Sequence, residues 1–392
     1  MKTRKLKDNI FYVGAVDWDR RLFDALIPLP DGTTYNSYIV KGSEKTALLD
    51  TVDPTKTDVL MEQLEEFPKI DYIIAHHAEQ DHSGGLPAVL EKYKDAILIT
   101  SPKGKGMIMD LLHIEEKRFK TVEDGESISL GGKTLRFIHT PWVHWPETMS
   151  TYLEEDRILF SCDFFGSHYA SNQIFAEEKD KVYPAAKRYY AEIMMPFATH
   201  VEKNLEKIKD LKIDIIAPSH GPLHNDPKFI IDAYKDWVLG KPKNLAVVVY
   251  ISMHGSTAKL VERFVTSLTE KNVVVEQYDM VSVDLGKLAM SLVDAATIVI
   301  GTPTVLNGPH PNVLYAVALA NALRPKAKFA SLLASYSWGT KIAEQIVGLI
   351  PNLKVEVIDP VICKGLPREA DLSAVDVLAA KIAVKHREAG LM

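Results

Sequence analysis

The sequence predicts an α/β chain of two domains, first a pair of sheets with helices outside them, then a doubly wound parallel sheet. Three observations predict it. Up to about residue 240, short β-rich runs dominate, with helical stretches between some of them. Beyond that point apolar strands alternate regularly with amphipathic helices. Between the two lies Leu239-Gly240-Lys241-Pro242-Lys243-Asn244, where Gly and Pro stand among lysines, so the domains are expected at residues 1–240 and 244–392. A length of 392 residues agrees, since a domain takes roughly 150.

In the upstream half, strands are expected over 34–40, 46–49, 71–75, 96–100, 134–139, 157–161 and 213–217, with a helix over 54–66. Downstream, strands are expected over 245–251, 273–278, 297–300, 327–334 and 353–361. Helices over 257–270, 285–292, 312–323, 341–349 and 372–386 separate or follow them. Crossover helices must cover both faces of such a parallel sheet, and its ligands bind at the carboxyl ends of the strands.

The formal charge is −6, from 46 basic and 52 acidic side chains, and no long Lys/Arg block interrupts the chain, so no nucleic-acid partner is expected. Two cysteines, Cys162 and Cys363, build neither a disulfide framework nor a four-cysteine iron site, which fits a reducing cytoplasm. No stretch approaches the roughly 18 apolar residues of a membrane helix, and the charged N-terminus lacks a signal-peptide core. A soluble, unprocessed cytoplasmic protein is expected.

Chemistry concentrates where the apolar run Tyr72-Ile73-Ile74-Ala75 meets His76-His77-Ala78-Glu79-Gln80-Asp81-His82. His77, Glu79, Asp81 and His82 supply two imidazoles and two carboxylates within six residues. Four neighbours in sequence wrap a single ion poorly, so two adjacent metals fit them better. His76 is out of phase with this set and reads as a packing or supporting residue. His144, Asp163 and His220 each follow a predicted strand, and strand ends converge on one rim.

With Asp50 ending another strand, this half resembles the metallo-β-lactamase superfamily and its αββα sandwich. Hydrolytic members carry H-x-H-x-D-H, whereas this chain has H-x-E-x-D-H, with Glu79 in the second histidine's place. The seven ligands His77, Glu79, Asp81, His82, His144, Asp163 and His220 make a hard, anionic set suited to redox-active iron, with Asp163 as the bridge. The resemblance implies a first iron on His77, Glu79 and His144 and a second on Asp81, His82 and His220.

In the downstream half, Ser252-Met253-His254-Gly255-Ser256-Thr257 joins a strand to a helix and offers amides and hydroxyls to a monophosphate. The same residues would also serve as plain helix caps. No G-x-G-x-x-G is present, which disfavours a dinucleotide. Two more strand-end loops face the same crevice: Gly301-Thr302-Pro303-Thr304-Val305-Leu306-Asn307-Gly308 and Ser335-Tyr336-Ser337-Trp338-Gly339, the latter with rings to pack on a flavin. This half resembles flavodoxin, which implies FMN.

In this order the halves resemble a flavodiiron protein, or A-type flavoprotein, over essentially the whole chain. Relatives commonly carry Gly where Ser337 and Thr340 stand and Asn where Gly308 stands, departures that bear on flavin potential and ring contacts. The resemblance implies an oxidoreductase that reduces dioxygen to water or nitric oxide to nitrous oxide at two iron ions per chain. FMN relays electrons from an external donor, such as rubredoxin or a reduced deazaflavin coenzyme. It also implies a head-to-tail homodimer, with a dimer of dimers as the larger assembly. Trp145 reads either as core or as lining the dimer junction, His168 as a supporting proton donor or a surface histidine, and Cys162 as a small apolar core residue. The rival reading is a di-zinc hydrolase with a regulatory flavodoxin-like module, against which Glu79 argues.

Overall fold

The computed structural model describes residues 2–392. The chain divides into two compact units, Met1–Val238 and Leu239–Met392.

In the first unit, one sheet runs in the spatial order Arg4–Lys7, Ile10–Asp17, Thr33–Lys41, Thr46–Leu49, Tyr72–Ile74, Ile97–Thr100 and Phe119–Thr121. The second runs Ser127–Ser129, Thr134–His139, Met149–Leu153, Ile158–Cys162 and Ile215–Pro218. Successive side chains on a strand face opposite ways, and the first sheet uses both faces. Leu48 and Ile73 pack under the helices with Leu60, Leu64, Leu86 and Ile108. Their neighbours Leu49 and Ile74 point the other way and meet Phe137, Met149 and Phe160 of the second sheet. This inter-sheet core brings strand ends from both sheets together. His76 and His77 follow Tyr72–Ile74, Asp163 follows Ile158–Cys162, and His220 follows Ile215–Pro218.

Several elements lie outside the predicted set, including the strands Ile10–Asp17 and Met149–Leu153 and the helices Pro102–Leu112, Lys179–Tyr189, Ala198–Ile208 and Pro227–Leu239. Within Ile10–Asp17, Gly14 stands at φ +134°, where a Cβ would lie 2.3 Å from the Tyr35 carbonyl oxygen. The Gln63 side-chain amide bonds both backbone groups of Gly14 at 2.6 and 2.9 Å, tying the helix Thr57–Gln63 to the strand.

In the second unit the sheet order is Val274–Asp279, Leu245–Tyr250, Thr297–Val305, Phe329–Tyr336 and Glu356–Val357. These pairings are all parallel. It is a doubly wound, flavodoxin-like sheet, and its strand order reverses between Leu245–Tyr250 and Thr297–Val305, the crevice where such folds bind ligands. The strand expected over 353–361 is instead two short ones, Glu356–Val357 and Val361–Lys364, both beside Phe329–Tyr336. Pro360 lies in the break between them and has no N–H for the ladder. The segment 301–308, expected as a loop, continues the strand to Val305, turns at Leu306 and Asn307 with φ of +49° and +66°, and returns through Gly308–Pro309. Two central residues with positive φ are the geometry of a tight hairpin. No helix among the described residues is long and apolar enough to cross a membrane.

Candidate functional site

All seven proposed ligands converge in the first unit. Glu79 caps the short helix Gln80–Ser83, and this turn carries Asp81 and His82 inward. The Ser83 hydroxyl donates to the Ala78 carbonyl at 2.7 Å, while the Thr51 hydroxyl and N–H donate to the His82 carbonyl at 2.6 and 2.8 Å. Three of the four neighbouring donors are thus set by one short helical turn and its cap.

The two oxygens of Asp163 divide the donors into two groups. His77 Nε2 and His144 Nε2 each lie 3.5 Å from Asp163 Oδ2 and 3.0 Å from Glu79 Oε2. His82 Nε2 and His220 Nε2 lie 3.1 and 3.3 Å from Asp163 Oδ1, and 3.5 and 3.0 Å from the two oxygens of Asp81. Ligands with bonds of about 2.0–2.2 Å to one ion at 90–110° stand about 3.0–3.5 Å apart, which is the spacing found.

Protonation states sharpen the point. His220 Nδ1 donates to the Thr34 carbonyl at 2.7 Å and His77 Nδ1 to Glu147 at 2.7 Å, which leaves the Nε2 lone pair of each neutral ring facing carboxylates. His82 Nε2 and His220 Nε2 also face one another at 3.3 Å. Both oxygens of Asp81 and Asp163 Oδ2 are buried without a hydrogen-bond donor. Anionic oxygens and lone pairs gathered in a dry site require positive charge between them. With protons as the only available cations, the imidazoles are driven basic. Burial opposes this for His220, but Asp163 and Asp81 push it up to about 10. His77 rises well above the ordinary range, burial being outweighed by Glu147, Glu79 and Asp163. The residues therefore fit two cations. A cleft of about 430 Å³, lined by Arg20, Phe23, Asp24, Asp53, Glu79, Asp81 and Trp145 among others, opens onto them.

In the second unit a cleft of about 300 Å³ lies at the strand ends. Ser252, Met253, His254, Ser256, Thr257, Pro303, Thr304, Ser335, Tyr336, Ser337, Trp338 and Gly339 line it, as does Gly365, which the sequence reading did not select. Gly255 supplies the φ of +85° that starts the helix Ser256–Thr269. Gly255, Val305, Leu306, Asn307 and Gly308 are not in the lining, the last four forming the tip of the hairpin. The Thr257 and Ser335 hydroxyls meet at 3.0 Å, joining two of the loops. Ser252 Oγ and Thr304 Oγ1 are buried without partners. Free hydroxyls beside a helix N-terminus suit the phosphate and polar edge of a flavin mononucleotide.

A family model described as ODP family beta lactamase matches residues 33–221. The nitric oxide reductase of Moorella thermoacetica is 34% identical over 393 residues, 97% of this chain and 98% of the relative. The solved structure of rubredoxin oxygen:oxidoreductase from Desulfovibrio gigas superimposes with a TM-score of 0.95 at 29% identity, covering 98% of this chain and 99% of that one. The flavodiiron protein of Giardia intestinalis gives a TM-score of 0.91 at 26% identity, over 99% and 98% of the two chains. The chain belongs to the flavodiiron family.

In this flavodiiron protein several residues that support the ligands were not singled out from sequence. Glu147 accepts from His77 Nδ1 and from the Ala78 N–H at 3.0 Å. The Tyr189 hydroxyl donates to Asp163 Oδ1 at 2.7 Å from the end of the helix Lys179–Tyr189, where the chain enters the π-helical turn Tyr190–Met194. Trp145 packs edge-on against His77, ring centroids 4.9 Å apart, and lines the cleft. His168 is buried, 5.2 Å from the His220 ring, with Nδ1 2.9 Å from the Thr33 hydroxyl, so the reading of a surface histidine does not hold. Burial and the neighbouring His220 hold His168 well below the usual range, and it stays neutral. Cys162 is buried, with Sγ 3.8 Å from His82 Nδ1.

His76 is turned away from the ligands and ties Asp50 to Thr151, with both bonds at 2.7 Å. Asp50 also accepts the His76 N–H at 2.8 Å and the Ser219 hydroxyl at 3.3 Å, joining strand ends of both sheets. Burial would raise the Asp50 carboxyl, but His76 outweighs it and holds the group below the usual range. A depressed carboxyl stabilises the fold above its unfolded value near 3.9, and this contribution is lost as pH falls through the folded value. Asp50→Asn is expected to cost the metal-free chain about 3–5 kcal/mol at pH 7, with the deficit shrinking below about pH 4. Urea unfolding at the two pH values checks this.

Proposed function

We propose that this flavodiiron protein reduces dioxygen to water, nitric oxide to nitrous oxide, or both, at a pair of iron ions, with electrons relayed through FMN from an external donor. The observation that carries the reading is the division of six donors, three and three, between the two oxygens of the buried Asp163, with the carboxylate of Glu79 in the first group. On this reading His77, Glu79 and His144 would hold one ion and Asp81, His82 and His220 the other, with a carboxylate oxygen of Asp163 offered to each.

When bound, the irons and FMN supply the electrons, four to take dioxygen to two waters or two to take a pair of nitric oxide molecules to nitrous oxide and one water. The chain's own residues do the rest. Phe23 and Trp145 wall the cleft, Tyr189 holds one oxygen of the bridging carboxylate, and Glu147 and the Thr34 carbonyl fix the tautomers of His77 and His220. In the other unit, the amides opening Ser256–Thr269, with Ser252 and Thr304, would hold the phosphate and polar edge of FMN, and Tyr336 and Trp338 offer rings to pack on it.

A head-to-tail homodimer would bring one subunit's flavin beside the other's irons, and a rubredoxin or reduced deazaflavin would feed it. Rubredoxin stands in the name of one structural neighbour, and nitric oxide reduction in that of one relative. Two buried free cysteines suit a reducing cytoplasm. The test is anaerobic reduction of the FMN- and iron-loaded protein followed by metered dioxygen or nitric oxide. Consumption in the ratios above supports the reading. Lactam or thioester cleavage with inert gases would favour the di-zinc hydrolase instead.

A further inference from the structure

The ligand histidines differ in what holds their outer nitrogens. His77 Nδ1 meets a carboxylate, Glu147, at 2.7 Å, and His220 Nδ1 meets a backbone carbonyl at 2.7 Å. For His82 Nδ1 the partner is only the Cys162 sulfur, 3.8 Å away. Glu147 is itself anchored, because the oxygen that takes His77 also accepts the Ala78 N–H, and the Ser101 hydroxyl donates to the Glu147 carbonyl at 2.7 Å.

The other carboxylate oxygen, Oε2, is buried and meets no donor. A neutral amide oxygen would accept both N–H groups equally well, so hydrogen bonding alone gives no reason to bury a full negative charge here. Its counter-charge would be a cation on the far side of the imidazole, where His77 Nε2 faces two more carboxylates, Glu79 and Asp163. A carboxylate behind a ligand imidazole makes the ring a stronger donor and fixes its tautomer.

We propose that Glu147 is a positioning residue that makes the two metal positions unequal, so that the ion on His77, Glu79 and His144 is held more tightly than the ion on Asp81, His82 and His220. The proposal rests on the two-metal reading above.

The experiment titrates the full, FMN-loaded, metal-stripped chain with Co(II) under argon against a competing chelator, following visible ligand-field absorption. The native chain should take two ions in separate steps. Glu147→Gln keeps an oxygen to accept both hydrogen bonds while removing the charge. It should weaken the first step about 10–100-fold and shift that step's band, leaving the second step unchanged. Glu147→Asp restores the charge and should recover part of the affinity, which also covers the case in which the Gln variant fails to fold. Two ions bound with the same affinities in native and Gln chains, or equal weakening of both steps, would overturn the proposal alone. A native chain that binds fewer than two ions would overturn the two-metal reading with it.

Discussion

Asp163→Ala is expected to leave the chain yellow and inert. Asp163 is the one side chain whose oxygens stand in both donor groups, each 3.1–3.5 Å from two imidazole nitrogens. Its removal leaves two incomplete sets of three donors and strands the Tyr189 hydroxyl, which loses its acceptor. Iron should fall from about two per chain to less than one, and gas consumption by more than the roughly 10–100-fold that a supporting residue costs. The flavin spectrum should persist, because its cleft is built from the other unit. Loss of flavin with metal retained would mean that the two units' roles are reversed. Iron analysis and the visible spectrum of the same preparation decide between these.

Glu79→His is expected to change which metal the chain prefers. Glu79 Oε2 lies 3.0 Å from both His77 Nε2 and His144 Nε2, and its negative charge is strongly favoured. Burial alone would raise its carboxyl, but His144 and His77 hold it far below the usual range. An imidazole in its place recreates H-x-H-x-D-H and removes one anion from the first group. Hard anionic oxygen stabilises oxidised iron, while imidazole suits zinc well. The variant should gain zinc at the expense of iron when both are supplied, and its dioxygen or nitric oxide turnover should fall at least about tenfold. Unchanged iron content and turnover would show that Glu79 does not govern metal choice.

The convergence of the seven candidate donors was legible because four of them crowd into six residues and each of the other three follows a predicted strand, so local order carried the information. The supporting residues carried no such mark. Glu147 follows a proline in what reads as an ordinary turn, and its role appears only when the chain folds it 2.7 Å from His77, seventy residues away. Tyr189 reaches Asp163 from a helix containing Pro184 that runs into a π-helical turn, a geometry that side-chain periodicity does not encode. In the flavin unit the three loops were read from strand ends. The segment after Ile300 reads as a loop because its Pro and Gly residues suggest irregular backbone. Parallel pairing with Phe329–Tyr336 carries the strand on to Pro303, and beyond it the chain pairs back on itself, Thr304 with Pro309 and Val305 with Gly308. Gly365 enters the cleft lining from a strand whose position is set by pairing across the sheet.

The identity of the two metals bears most directly on the whole account. Protein produced under native expression, crystallised without added metal and measured on both sides of the iron and zinc absorption edges, should show two iron peaks, one beside each oxygen of Asp163. Zinc alone in both positions, or Glu79 turned away from either ion, would contradict it.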